Sequence, residues 1–530
     1  GAATPHHHAP QRRGRPLRGR GRGEVGAAML FNSLIFLFAF LPVTLAAYYL
    51  FPARLRAVPL LVLSSLFYGW GEPVLVVLIW FSSIFNYLVG RQLAASGERR
   101  RRWLLALGIA IDLLPLLVFK YLDFILVTVG MSSLAKQVHL PLPIGVSFYT
   151  FMAISYLMDI YRRRNTGAPN LLLFAAYLTM FPHLVAGPIV RWEHVGPQLI
   201  APRFEPGRFG YGAVRIATGL VKKSVLADSL SPVVDTMFAT GAPSSMGAAW
   251  VAALLYSLQI YLDFSAYSDI AIGLAAMLGV DFEENFRYPY LSRSAREFWQ
   301  RWHISLGSWF RDYVYIPLGG SRVRPLLVWR NLLVVWALTG LWHGAAWTFI
   351  CWGLYFGVLI GFERGRFGRL IGALPTVAQH VYGVLVAVLG WVIFRSVSLE
   401  QVGQYYRSMC GLGGVPVWDD KASFAIAQTF VVTVISVALA FGAARKLMDA
   451  IERFLINTDP TLAVPIAHHA SDSSLTAGSL MDKVEHSVEA SKGRRVATST
   501  VIAIMVALLL ILGTAFVVSV TYSPFIYFRF

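Results

Sequence analysis

Long apolar runs separated by short polar or basic breaks recur along almost the whole chain. Residues 34–50 form the first run, followed by Arg54 and Arg56. Runs 58–70 and 74–90 are divided by Gly71-Glu72-Pro73, and the densest basic cluster, residues 98–102, comes next. Runs 103–129 and 144–160 then lead to Arg162, Arg163 and Arg164. A crossing helix needs roughly 20 apolar residues, so this pattern predicts successive transmembrane helices, with 58–70 short for a full crossing. Cytoplasmic loops concentrate Lys and Arg. Placing the three basic clusters in the cytoplasm puts Met29 and the Gly-Glu-Pro break on the other side.

The pattern is less regular further on. Run 171–189 ends in Phe181-Pro182-His183 and Ala186-Gly187-Pro188, where freed backbone groups need cover from protein or a wet cavity. Residues 214–238 carry Lys222, Lys223, Asp228 and Asp235, too many charges for a simple lipid-facing span. Residues 248–278 are apolar apart from Asp263 and Asp269, whose carboxylates are expected to face protein or water. Further spans are predicted near 381–394, 424–441 and 501–520, with a polar loop at 457–498 that contains His468, His469 and His486. The expected architecture is an all-α polytopic membrane protein of about ten to twelve spans.

Composition agrees. Of 530 residues, 56% are hydrophobic and only 14% charged, against about 25% charged in soluble domains. The net charge of +18 lies in clusters between apolar runs, so it reads as membrane topology and not as a nucleic-acid footprint. Two cysteines, Cys351 and Cys410, offer no disulfide framework or CxxC pair. Residues 1–28 are rich in Arg, Gly and Pro and read as a disordered basic leader that a start at Met29 would remove.

Candidate chemistry concentrates in residues 294–362. His343 lies inside apolar sequence, and an ionisable group at membrane depth marks a cavity or reaction centre by default. Gly340 and Gly344 permit close approach, while Trp342 and Trp347 are expected to wall the site. An imidazole there can serve as a general base; a polar link between spans is the plainer reading. His303 lies in 295–315, read as one interfacial or re-entrant helix whose stripe of Phe298, Trp302, Trp309 and Tyr313 sits at headgroup level. No metal site is expected: a zinc site needs about three protein ligands, and neither histidine has a His-x-x-x-His or Cys pair nearby. There is no P-loop. Asp263 and Asp269 fall about 120° apart on a helix, which favours structural bonding for at least one.

Several strings together resemble the membrane-bound O-acyltransferase (MBOAT) family, closest to its bacterial branch of alginate O-acetyltransferase membrane subunits and the teichoic-acid D-alanyl transfer protein. They are Phe119-Lys120-Tyr121, LPIGVSFYTFMAISYLMDIYR at 142–162, FPHLVAGPIVRW at 181–192 and YLDFSAYSDIAIG at 261–273. FWQRWHISLGSWFRDYVYIPLGGSR at 298–322, RNLLVVWALTGLWHG at 330–344 and the terminal FIYFRF complete the set. The resemblance spans nearly everything from Met29 onward; the leader and the length of the 457–498 loop depart from it. It implies a ring of helices with re-entrant elements around a central funnel that leads from the cytoplasm to the histidine. It also implies that His343 is catalytic and His303 a second active-site histidine. Asn331, Trp342 and Arg301 are further candidates for substrate binding.

The activity so implied is O-acetyl transfer at a bacterial inner membrane, with acetyl-CoA as donor and no bound cofactor. Periplasmic acetyltransferase partners would pass the group to an alginate-type exopolysaccharide, and lipids would surround the protein. Competing readings are acylation of cellulose, peptidoglycan or teichoic acid, a transporter or flippase, and a scaffold in which both histidines are dispensable.

Overall fold

The computed structural model describes residues 29–138, 140–239, 241–442 and 507–518. The leader, the 457–498 loop and the terminal hexapeptide lie outside the described residues. Among the described residues the chain is helical, and the only bridge outside a helix pairs Phe286 with Trp302 in antiparallel fashion. Six helices among the described residues are long and apolar enough to cross a membrane: Val76–Ala95, Glu98–Thr128, Met246–Met277, Pro325–His343, Thr376–Arg395 and Asp420–Ala440. Shorter apolar helices are Phe36–Leu50, Trp347–Glu363 and Ala507–Val518, and the expected 58–70 span is the 15-residue helix Ala57–Gly71.

Met246–Met277 is the central pillar. Ser245 caps its N-terminus by accepting from the Ala248 N–H, and its most apolar stretch is 83% buried, against 17% for Glu98–Thr128. The first is therefore walled by protein and the second faces lipid. Two hydrophobic cores share this pillar. Residues 248–264 pack with Phe298, Trp302, Trp352 and Trp391. Residues 267–278 pack with Val146–Tyr161, Trp309 and Trp342.

Charges on the pillar are paired, as low-dielectric burial requires. Lys223 donates to Asp228 at 2.8 Å and Asp263 at 2.6 Å. Asp269 takes Arg215 at 2.8 Å and Lys222 at 2.5 Å. Both carboxylates thus have structural partners, on a segment that widens into a π-helical turn at Lys222–Ala227.

Two expectations need correction. Run 171–189 is not one continuous helix: it stops at Thr179, restarts for Phe181–Leu184 and then runs irregularly to Val190. Pro182 and the Ala186-Gly187-Pro188 turn break it, and burial of every residue from Phe174 to Val190 supplies the cover that its backbone needs. Residues 295–315 are likewise not one helix. Ala295–Arg301 ends before His303, whose φ of +46° turns the chain, and Ile304–Phe310 begins anew. The aromatic stripe is consequently split between the two cores and buried, with Phe298, Trp302, Trp309 and Tyr313 all under 7% exposed.

Candidate active site

The break at His303 is held by the turn before it. The Ile304 N–H donates to the Asn285 carbonyl at 3.0 Å and the Arg287 N–H to the Arg301 carbonyl at 2.9 Å. At the front, Ser294 caps Ala295–Arg301 by accepting from the Glu297 N–H, and the Glu363 carboxylate accepts from the Ala295 and Arg296 N–H groups at 2.7 and 2.9 Å. A left-handed residue that is not glycine is costly and persists where its surroundings over-determine it, typically at functional sites.

Asn285 also reaches the imidazole. Its Oδ1 accepts from the Ser305 N–H at 3.2 Å and from Ser305 Oγ at 2.9 Å, and it lies 3.2 Å from His303 Nδ1. Its Nδ2 donates to Ser268 Oγ at 3.2 Å. A backbone N–H can only donate, so the atom facing Ser305 is an acceptor and Nδ1 of His303 carries the proton. Nε2 is left with a lone pair and has no hydrogen-bond partner among the described residues.

His343 is the last residue of Pro325–His343. The two imidazoles stand with ring centroids 6.4 Å apart, at the seam between the cores. Around His343 are Trp342 at 4.9 Å, Trp352 at 4.9 Å and Phe394 at 5.3 Å. Phe264 meets the His303 ring edge-to-face at 4.7 Å. His303 is fully buried, while His343 keeps 6% exposure.

Trp342 thus walls the site as expected, but Trp347 does not. It begins the next helix, is 53% exposed and meets Phe124 instead. Trp352, on the opposite face of Trp347–Glu363, takes its place. Gly340 serves helix packing: a Cβ there would lie 2.2 Å from the Phe349 carbonyl oxygen. The structure does not bring the side chains of Asn331 and Arg301 to the imidazoles. Asn331 sits three turns back along the helix, about 18 Å of rise from His343. It donates to the carbonyls of Leu318 and Gly320 at 3.1 Å. Arg301 is bound to Glu297 at 2.9 Å and to the Arg287 carbonyl at 3.2 Å.

A polar cluster marks one end of the bundle. Arg191 pairs with Asp312 at 2.8 Å and Arg311 with the same carboxylate at 2.7 Å. Burial opposes ionisation of Asp312, but the two guanidiniums outweigh it and hold the carboxyl below its ordinary range. Among the described residues no three His, Cys, Asp or Glu side chains converge as they would around a metal ion.

Residues 113–396, which enclose both histidines and Asn285, match the model of MBOAT, the membrane-bound O-acyltransferase family. The chain belongs to this family. It is 38% identical over 95% of its length to the "Probable alginate O-acetylase AlgI" of Azotobacter vinelandii, all of which is covered. It is also similar to the Helicobacter pylori peptidoglycan O-acetyltransferase (34%, over 73% of this chain and 81% of that protein). The Bacillus subtilis teichoic acid D-alanyltransferase matches at 28% over 52% of this chain and 71% of its own. The chain is therefore a multi-pass membrane O-acyltransferase.

Within this MBOAT chain the site includes residues that sequence reading passed over. Asn285, Phe264, Trp352 and Phe394 reach it through contacts between distant segments. Lys120, like Phe264, was visible only as part of a family string, and its side chain bonds the carbonyl of Trp342.

Proposed function

We propose that the protein moves an acetyl group from a cytoplasmic donor, acetyl-CoA, to hydroxyls destined for an alginate-type exopolysaccharide at a bacterial inner membrane. Periplasmic partners would complete the delivery. The observation that carries this reading is the pair of buried imidazoles 6.4 Å apart in a membrane O-acyltransferase. The alginate acceptor is favoured over peptidoglycan or teichoic acid because likeness to the alginate relative is higher and spans more of the chain.

In the reaction His343 takes the proton of the acceptor hydroxyl as its oxygen bonds to the thioester carbonyl carbon. The tetrahedral adduct then collapses, the C–S bond breaks, and the imidazolium returns the proton to the leaving thiolate. An apolar, aromatic enclosure limits competing hydrolysis by water. His303, with its proton fixed on Nδ1, offers an Nε2 lone pair to orient a hydroxyl or a water.

Purified protein given labelled acetyl-CoA is expected to transfer label to an added polymannuronate oligosaccharide or to a co-purified partner. In a deletion strain, mass spectrometry of the secreted polysaccharide is expected to show loss of ester-linked acetate. Unchanged polymer, with acetate lost from peptidoglycan instead, would redirect the acceptor assignment.

A further inference from the structure

We propose that Lys120 and Tyr121 form a clamp on the end of the Pro325–His343 helix and set where the His343 ring stands, an inference that rests on the acyl-transfer reading above. The last carbonyls of an α-helix have no intrahelical donor. Here the two carbonyls immediately before His343 are taken by side chains from one distant turn. Tyr121 Oη donates to the Leu341 carbonyl at 3.1 Å, and the Lys120 ammonium donates to the Trp342 carbonyl. The same ammonium donates to Ser147 Oγ at 3.3 Å and lies 5.8 Å from the centre of the Trp342 ring. Lys120 therefore holds both the backbone and the ring of the residue preceding His343, and ties them to the first turn of Val146–Tyr161.

Local structure explains how two consecutive side chains reach two consecutive carbonyls. Pro115 has no N–H to continue the helical ladder, and the next residues, Leu116–Tyr121, form a π-helical turn. Such turns are rare and concentrate at functional sites. A cation at a helix C-terminus also meets the negative end of the helix dipole. No carboxylate acts on Lys120 among the described residues, so an ion pair is not what places it there. The anchor is rigid as well: Gly145, just before Ser147, has φ +74°, and a Cβ on it would lie 2.3 Å from the Leu184 carbonyl oxygen. Beyond His343 the chain turns extended at Gly344, so no further helical turn steadies the imidazole and the clamp does.

Lys120 and Tyr121 are thus positioning residues. The test compares full-length wild type, Lys120→Met, Lys120→Arg and Tyr121→Phe, with His343→Ala as reference, in acetyl-CoA-dependent transfer. Lys120→Met is expected to lower kcat about 10- to 100-fold with KM for acetyl-CoA and the unfolding midpoint unchanged. Tyr121→Phe is expected to show a smaller drop, and Lys120→Arg to recover part of the loss. Wild-type kcat in Lys120→Met, or in Tyr121→Phe should Lys120→Met fail to accumulate, alongside an inactive His343→Ala, would overturn the clamp. Activity retained in His343→Ala would instead overturn the catalytic role of His343, and no transfer by any of the proteins, wild type included, would overturn the acyl-transfer reading. A measurement that needs no donor is the rate of diethylpyrocarbonate modification at His343, followed by mass spectrometry with exposed His194 as reference. Faster modification in both clamp variants is expected, and an unchanged rate would contradict the proposal.

Discussion

A neutral imidazole has one donor nitrogen and one acceptor, and which is which decides what it can do. At His303 the neighbours decide. Asn285 Oδ1 gathers the Ser305 N–H, Ser305 Oγ and His303 Nδ1, leaving Nε2 as the acceptor. Asn285→Ala removes that acceptor from three buried donors, each costing about 1–3 kcal/mol when unsatisfied. It is expected to reduce transfer at least about tenfold, since an imidazole free to change tautomer loses its role. Measured kcat with membrane abundance held equal checks this; full activity would show that the tautomer does not matter. Sequence showed His303 and His343 as the two outstanding imidazoles, and the structure brings them together. It could not show Asn285, because that contact depends on a turn whose backbone pairing joins segments with no shared periodicity. Nor could it show the left-handed backbone at His303, since helical spacing of aromatics runs unbroken through the position.

Among the elements, the hairpin of Pro325–His343 and Trp347–Glu363 depends on backbone contact. A Cβ on Gly353 would lie 2.1 Å from the Trp336 carbonyl oxygen, and one on Gly340 would lie 2.2 Å from that of Phe349. Small residues allow this approach in membrane helices, and it fixes the helix that carries His343 against the one that supplies Trp352. Gly353→Ala is expected to destabilise the protein by about 1–3 kcal/mol through overpacking, seen as a lower unfolding midpoint in detergent together with reduced transfer. An unchanged midpoint would contradict the packing argument. Most helices were legible, since long apolar runs have few alternatives. The break in 295–315 was not, since its composition and aromatic spacing are those of a continuous helix, whereas Pro182 and the Ala186-Gly187-Pro188 turn announced the interruption within 171–189.

At the scale of the whole molecule, two cores meet along Met246–Met277 and the histidines occupy their seam. Basic residues cluster at one end. Arg101, 4% exposed, donates to the carbonyls of Ile160 and Tyr161 at 2.9 and 2.7 Å, so clusters 98–102 and 162–164 lie together, in keeping with their placement on one side of the membrane. Arg162 and Arg191 join Asp312 at the same end. Lys120, beside Trp342, lies up to about 28 Å of helical rise from Arg101, so the proposed cytoplasmic donor would have to reach well into the bundle. The family was legible because its strings carry the same contacts that build the site: residues 119–121, 145–148 and 341–344 meet at one point. The most direct test of this account is the ester-linked acetate on secreted polysaccharide in a deletion strain complemented with His343→Ala. With the variant inserted at wild-type abundance, acetylation is expected to be absent; acetylation at the wild-type level would contradict the catalytic role of His343.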